Sequence, residues 1–193
     1  MNRRFGLLID HLDTPVGLLA IVADEEGGLR AVGWMDRHAR MERQLRAYSE
    51  AQGLGLREAP NPGGFTAALR AYFAGDWSVI DRLTVAAVGT EFQQSVWRAL
   101  RQIPCGETRS YGQISRQIAL PNAARAVGLA NAVNPVAVVV PCHRVVGSDG
   151  SLTGYGAGMD RKRWLLAHER LDPARGASPR RAPPPPDQRP QNP

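Results

Sequence analysis

Two proline–asparagine pairs set the frame of the C-terminal half of the chain. Pro121-Asn122 and Asn134-Pro135 bracket a run rich in Ala and Gly. Proline lacks a backbone donor and pushes its predecessor out of the helical region, so each pair ends a helix. Ser110 is placed to cap a first helix over residues 111–120, with Ile114 and Ile118 inward. Asn122 is placed to cap a second over residues 123–133. Two short helices joined by a tight turn form a helix-turn-helix pattern. Two helices packed in an ordinary core share that pattern, so it leaves DNA binding open.

The second helix is informative by what it lacks. Ala123, Ala124, Ala126, Gly128, Ala130 and Ala132 dominate it. A helix that reads bases in the major groove needs Arg, Lys, Gln or Asn along its exposed face. The minor groove is about 6 Å wide and a helix with its side chains about 10–12 Å across, so only a helix stripped of side chains could press in and widen it. Such binding would be indifferent to sequence. Arg125 is the exception, a long planar cation able to enter a base stack. A small-residue helix packed on a neighbour, with Arg125 on the surface, is the plainer alternative.

Residues 136–140 (VAVVV) are continuous and β-branched, which reads as a buried strand ended by Pro141. Cys142-His143-Arg144 follows. A cysteine there, next to a histidine, is a candidate nucleophile. A free thiol has a pKa near 8.5, so a base nearby would raise its thiolate fraction. Neighbours in an extended segment point to opposite sides, so His143 would reach Cys142 through a bridging water. A buried structural cysteine is the competing reading. Downstream, Asp160 is placed to cap a helix over residues 161–169, with Trp164, Leu165 and His168 inward. Glu169 falls in its last turn, where a negative charge is disfavoured by roughly 0.3–1 kcal/mol. It is either a surface accident or the carboxylate that fixes a histidine tautomer. The glycine-rich stretch 147–158 lacks the Gly-Lys-Ser/Thr of a phosphate loop. It suits a wall of a flat aromatic pocket, with Tyr155 as one side.

The chain has 193 residues, 43% apolar and 22% charged, enough for one ordinary domain or two small ones. No apolar run approaches the ~20 residues of a membrane span, and Asp10 and His11 follow the N-terminal arginines too soon for an export signal. Two cysteines cannot make a disulfide framework, and no His/Cys cluster has metal spacing. Net charge is +6, nearly all of it Arg, with Lys162 the only lysine. That balance favours a polyanion, nucleic acid first, over a merely solvated surface only with help from other features. Residues 172–193 are rich in proline and arginine with no aromatic, so they are expected to be disordered; their four arginines outnumber two aspartates, leaving +4 on the body.

Residues 1–83 read as a small α/β domain: strands over 15–23 and 29–34 joined by a turn at 24–28, a charged helix over 37–48, and a helix over 65–73 ended by Gly75. His11 and His38 read as surface residues. From residue 84 to 171 a mainly helical domain follows, opened by a Thr90-capped helix with Phe92, Val96 and Leu100 inward. The fold class is therefore α/β (α+β): a small N-terminal α/β domain, then a helical domain with a helix-turn-helix and a short strand leading to Cys142.

Together these motifs resemble the methylated-DNA–protein-cysteine methyltransferases, the O6-alkylguanine-DNA alkyltransferases. The resemblance covers residues 89–169 and rests on Pro141-Cys142-His143-Arg144-Val145, Ser110-Tyr111-Gly112, Ala124-Arg125-Ala126-Val127-Gly128, Asn134-Pro135 and the run Trp164 to Glu169. It implies single-turnover DNA repair: Cys142 takes the alkyl group from O6-alkylguanine flipped out of the duplex, with O4-alkylthymine left open as a second substrate. His143 would act as base through water, Glu169 would orient it, and Asn134 would brace the turn carrying Cys142. Arg125 would fill the gap left by the flipped base. Tyr111 would crowd the target phosphate and donate to the leaving guanine. Gly112 and Ser148 would lie on the DNA, and Val145, Tyr155 and Gly156 would hold the base. The resemblance implies no cofactor, no metal, duplex DNA as partner, and a cytoplasmic monomer, nucleoid-associated in a prokaryote. Ala157 interrupts the family's glycine run, Ala132-Val133 offers no positive charge after the second helix, and Cys105 reads as a bystander. Two rivals remain: a Cys-His hydrolase or acyltransferase, and a DNA-binding regulator or lesion sensor without chemistry.

Overall fold

The computed structural model describes residues 6–37 and 55–170. Beyond its first residue the helix expected over 37–48, with His38, lies outside them, as does the tail 172–193. The N-terminal half is a four-stranded sheet in the order β3-β2-β1-β4. Its strands are β1 (Leu7–Thr14), β2 (Gly17–Asp24), β3 (Leu29–Trp34) and β4 (Leu56–Glu58). β1 pairs antiparallel with β2 and parallel with β4. β1 carries no clear sequence signal, because only Leu7 and Leu12 of its eight residues are buried. β2 alternates: Leu19, Ile21 and Ala23 face the main core, while Ala20 and Val22 join a smaller cluster on the other face. A register shift at Val22/Ala23 inserts an extra residue in β3. That bulge reverses the phase, so Leu29 and Val32, three residues apart, both reach the main core.

Helix α1 (Phe65–Phe73) packs Phe65, Leu69 and Tyr72 inward, and Gly75 follows it at φ +105°, a conformation that favours glycine. Helix α2 (Glu91–Arg101) starts with a complete capping box, in which Thr90 and Gln93 exchange side-chain and backbone hydrogen bonds. Val96 and Leu100 are buried as expected, and Phe92 packs partly exposed at the core's edge. Helix α3 (Tyr111–Gln117) opens on a second capping box, Ser110 with Gln113, and stops three residues before the expected end. Helix α4 (Ala124–Ala132) follows. Its cap is not Asn122. The N-cap is Ala123, whose N–H donates to Ser115 Oγ at 3.0 Å, and the Ser115 hydroxyl in turn donates to the Leu120 carbonyl. A side chain from α3 thus satisfies the turn, so the exposed Asn122 is not needed.

The expected strand at 136–140 is corrected. Val136 makes one bridge to Val32, and the chain then turns, with Val138 at φ +71°. The burial those valines imply is present, since Val136, Val138, Val139 and Val140 are all enclosed. Continuous apolar residues signal burial and do not by themselves choose a strand. Cys142–Arg144 form one 3-10 turn, leading into β6 (Val145–Val146), which pairs in parallel with β5 (Arg109–Ser110). The last helix, α5 (Met159–Glu169), begins at Gly158, so Asp160 lies within its first turn and pairs with Arg163 instead of capping. Its buried residues are Lys162, Leu165, Leu166 and Glu169; Trp164 and His168 are half-buried and stack on each other.

One apolar cluster spans both halves, from Leu12 and Trp34 to Val140, Cys142 and Leu165. Parallel bridges Leu29–Val85 and Val32–Val136 tie β3 to the second half. No described helix is long and apolar enough to cross a membrane.

Candidate active site

The turn that carries Cys142 is held by Asn134. Its Oδ1 accepts from the Val136 N–H at 3.0 Å, and its Nδ2 donates to the Val140 carbonyl at 2.8 Å. The same Nδ2 lies 3.1 Å from Cys142 Sγ. Val138 sits in the left-handed region, where a β-branched residue is strained by about 1–3 kcal/mol. The Asn134 side chain spans that turn from its start to the sulfur.

Cys142 borders a cavity of about 190 Å3. Tyr155, Gly156 and Ala157 from the glycine-rich segment line it, with Asn131 and Asn134 from the end of α4 and beyond. Val32, Gly33 and Trp34 of β3 complete the wall, a contribution of the N-terminal half that no sequence signal announced. Burial raises the Cys142 thiol pKa, while the Asn134 amide, the Tyr155 hydroxyl and the Lys162 charge pull it down. Burial likewise lowers the His143 pKa, against the pull of Glu169.

His143 Nε2 is 2.8 Å from Glu169 Oε1, and both side chains are fully enclosed. Since an ionised carboxylate only accepts, Nε2 carries the proton and Nδ1 is the acceptor. Nδ1 has no protein partner, and no hydrogen bond joins His143 directly to Cys142 among the described residues. Glu169 receives more than the histidine. Arg144 donates twice, Nε to Oε2 at 2.9 Å and Nη2 to Oε1 at 2.8 Å, and its Nη1 donates to the Ile103 carbonyl. Tyr72 of α1 donates its hydroxyl to Oε1 at 2.7 Å. Burial by itself would raise the Glu169 carboxyl pKa; the charges and hydrogen bonds of His143 and Arg144 hold it far below the carboxylate range.

Three buried polar side chains around this site carried no role in the sequence reading: Tyr72, Arg144 and Lys162. Arg144 stood inside the Cys-His-Arg motif. Lys162, the only lysine, donates to the Val145 carbonyl at 2.6 Å and to the Thr153 carbonyl at 3.1 Å, tying the glycine-rich segment to β6. Tyr72 left no signal beyond a helical apolar face.

The remaining expected residues are placed as follows. Tyr111 packs its ring against Gly128 and its hydroxyl is 2.9 Å from Thr153 Oγ1, so it joins both helices of the motif to the glycine-rich segment. Gly112 lies in the first turn of α3. Arg125 is exposed on α4, as is Leu129, and Ser148 is exposed on its loop. Val145 is fully buried and does not line the cavity; its carbonyl is taken by Lys162 and its backbone pairs with Arg109. Cys105 is partly exposed in its turn and lies close enough to Arg144 and Tyr72 to act on their charge. Among the described residues, no group of three His, Cys, Asp or Glu could hold a metal.

A thiol on a cavity wall, with a carboxylate-coupled imidazole behind it, defines a thiol-dependent group-transfer protein. The chain belongs to the 6-O-methylguanine DNA methyltransferase family. Residues 7–87 match the family's ribonuclease-like domain and residues 91–171 its DNA binding domain. A methylated-DNA–protein-cysteine methyltransferase of Salmonella typhimurium is 50% identical over 163 residues, covering 84% of this chain and 95% of that protein. One of Mycolicibacterium paratuberculosis is 60% identical over 113 residues, 57% of this chain and 68% of the relative. The OGT of Mycobacterium tuberculosis, solved in complex with DNA, superposes with a TM-score of 0.69 at 41% identity, covering 84% of this chain and 92% of that one.

Proposed function

We propose that this chain repairs DNA by moving an alkyl group from O6 of guanine to the sulfur of Cys142, each molecule acting once. The observation that carries this reading is the pairing of a cavity-lining Cys142 with His143, whose Nε2 is committed to Glu169 and whose Nδ1 is left to accept a proton. The thiol proton passes to Nδ1 through water. The sulfur attacks the alkyl carbon in line, the carbon–O6 bond breaks, and its electron pair stays with the guanine, which takes up one proton. A soft sulfur suits attack at saturated carbon, and the thioether has no hydrolytic exit. The raised thiol pKa fits a nucleophile that is deprotonated only as it reacts.

Asn134 steers the sulfur by its 3.1 Å contact. Tyr155 and Gly156 flank the base. The exposed small-residue face of α4 enters the minor groove, Arg125 takes the place of the extruded guanine, and Tyr111, Gly112 and Ser148 meet the phosphates. Tyr111 can accept from the Thr153 hydroxyl and keep its own proton for the leaving base. The protein works as a monomer on duplex DNA in the cytoplasm, in the nucleoid of a prokaryote, and residues 1–83 and 84–171 are its two functional parts.

The test is stoichiometric. After incubation with duplex DNA containing O6-methylguanine, mass spectrometry should find one methyl group, on the peptide containing Cys142, and Cys142→Ala should bind DNA without transfer. Product beyond one equivalent would point to the hydrolase or acyltransferase reading. Label on Cys105 alone, or binding with no transfer at all, would remove the assignment of Cys142.

A further inference from the structure

Glu169 Oε1 is shared by three donors from different parts of the chain: His143 Nε2 and Arg144 Nη2 from the turn after Cys142, and Tyr72 from α1 in the N-terminal half. His143 and Arg144 answer directly to the Cys142 motif. Tyr72 stands 97 residues away in sequence, is fully buried, and spends its only hydroxyl proton here. Its ring is fixed edge-on by Phe73 and His168, and the His168 ring in turn meets the Tyr72 carbonyl at 2.9 Å. A phenol buried so firmly would need no hydroxyl if it served packing alone, since phenylalanine fills the same space.

We propose that Tyr72 is a positioning residue: through its hydrogen bond to Oε1 it draws charge on Glu169 away from His143, and so keeps that imidazole the neutral proton acceptor of the transfer. The proposal rests on the functional reading above. Each donor to a carboxylate stabilises its charged form and weakens its pull on other protons. If Glu169 pulled harder, His143 would become an imidazolium at higher pH. Its Nδ1 would then carry a proton and could not take the one from Cys142. Tyr72 therefore extends the working range toward acid. Other charged or titratable groups face this pair: Arg144 on Glu169, Lys162 from α5 and Cys142 and Tyr155 from the cavity side, Cys105 beside Arg144 and Tyr72, and His168 against the Tyr72 ring. All of them stay in place when one phenolic oxygen is removed, and of them Arg144 and Cys105 interact electrostatically with Tyr72 itself. Burial and the neighbouring carboxylate push the Tyr72 pKa well above its usual value, so it remains a donor across the accessible range.

The experiment compares single-turnover transfer from methylated duplex DNA across pH in the full chain, in Tyr72→Phe, and with 3,5-difluorotyrosine placed at position 72. The phenylalanine variant should shift the acid limb upward by about one pH unit, with an unchanged plateau. The fluorinated phenol, a stronger donor, should shift it downward. The His143 resonance, identified by its loss in His143→Gln, should titrate with the same two displacements in the absence of DNA. Acid limbs and resonances that coincide in all three proteins would overturn the proposal, as would a uniform loss of rate at every pH. Should Tyr72→Phe unfold, the isosteric fluorinated protein alone decides. If the parent transfers nothing at any pH, the functional reading fails, while the resonance still judges Tyr72.

Discussion

Arg144 shows how much of this site is settled by single buried charges. Its guanidinium is enclosed, and it meets both oxygens of Glu169 as well as the Ile103 carbonyl. Taking two charges out of water is costly, and leaving one alone costs more. Arg144→Leu should lower the unfolding free energy by roughly 3–5 kcal/mol in urea titrations. Alkyl transfer should fall with it, because Glu169 would reorient. The same residues set the pH dependence of stability. The folded His143 resists protonation, so the unfolded chain binds the extra proton. Stability should therefore begin to drop as pH falls below about 6.5, the ordinary histidine value. Glu169, held low in the fold, adds stabilisation that is complete above the ordinary carboxylate range and is lost as pH falls through and below it. Urea midpoints measured from pH 8 to pH 3 should decline in these two stages, and His143→Gln should flatten the first.

At the scale of elements, the helix-turn-helix depends on Ser115. Its hydroxyl serves the Leu120 carbonyl and the Ala123 N–H together, which locks α3 to α4. Ser115→Ala removes both side-chain hydrogen bonds, leaving only the direct bond from the Ala123 N–H to the Leu120 carbonyl, and should cost about 0.5–1.5 kcal/mol, whereas Asn122→Ala should change little, and thermal melts separate the two. The exposed face of α4 presents Arg125 and Leu129 among alanines. Arg125→Ala should slow repair in duplex DNA far more than reaction with free benzylated guanine, since only the duplex needs a stand-in for the extruded base. Equal slowing of both would remove that role. The turn at 136–140 teaches the complementary lesson. Its valines announce burial, yet Asn134 and Pro135 divert the chain into a strained turn that aims Cys142 at a cavity.

On the scale of the whole molecule, the two halves share one apolar core and line one cavity beside Cys142. Arg161 of α5 crosses the seam: it donates to the Val16 carbonyl, pairs with Asp36, lies over the Trp34 ring and holds the Ala157 carbonyl. β3 thereby forms a wall of the cavity, and Tyr72 reaches the Glu169 carboxylate. Unfolding followed by tryptophan fluorescence and by far-ultraviolet circular dichroism should then coincide in one transition; two separated transitions would show halves that fold alone. With a net charge of +6, affinity for duplex DNA should fall linearly in log–log plots against salt, with a slope that reports the phosphates engaged.

The sequence by itself determined the local and the contiguous. Proline and asparagine placed the helix boundaries near 121 and 134, Thr90 and Ser110 declared themselves as helix caps, and Cys142-His143 with a distant Glu169 offered a candidate nucleophile, base and carboxylate. Those signals depend on neighbours a few residues away, or on residue types that chemistry demands. Only the tertiary structure decided which donors converge on Glu169, that Ser115 and not Asn122 closes the motif, and that β3 walls the cavity. A hydrogen bond between Tyr72 and Glu169 has no periodicity and no spacing rule. It exists because two elements far apart in the chain bury one carboxylate, and a buried carboxylate draws in the donors that offset its desolvation.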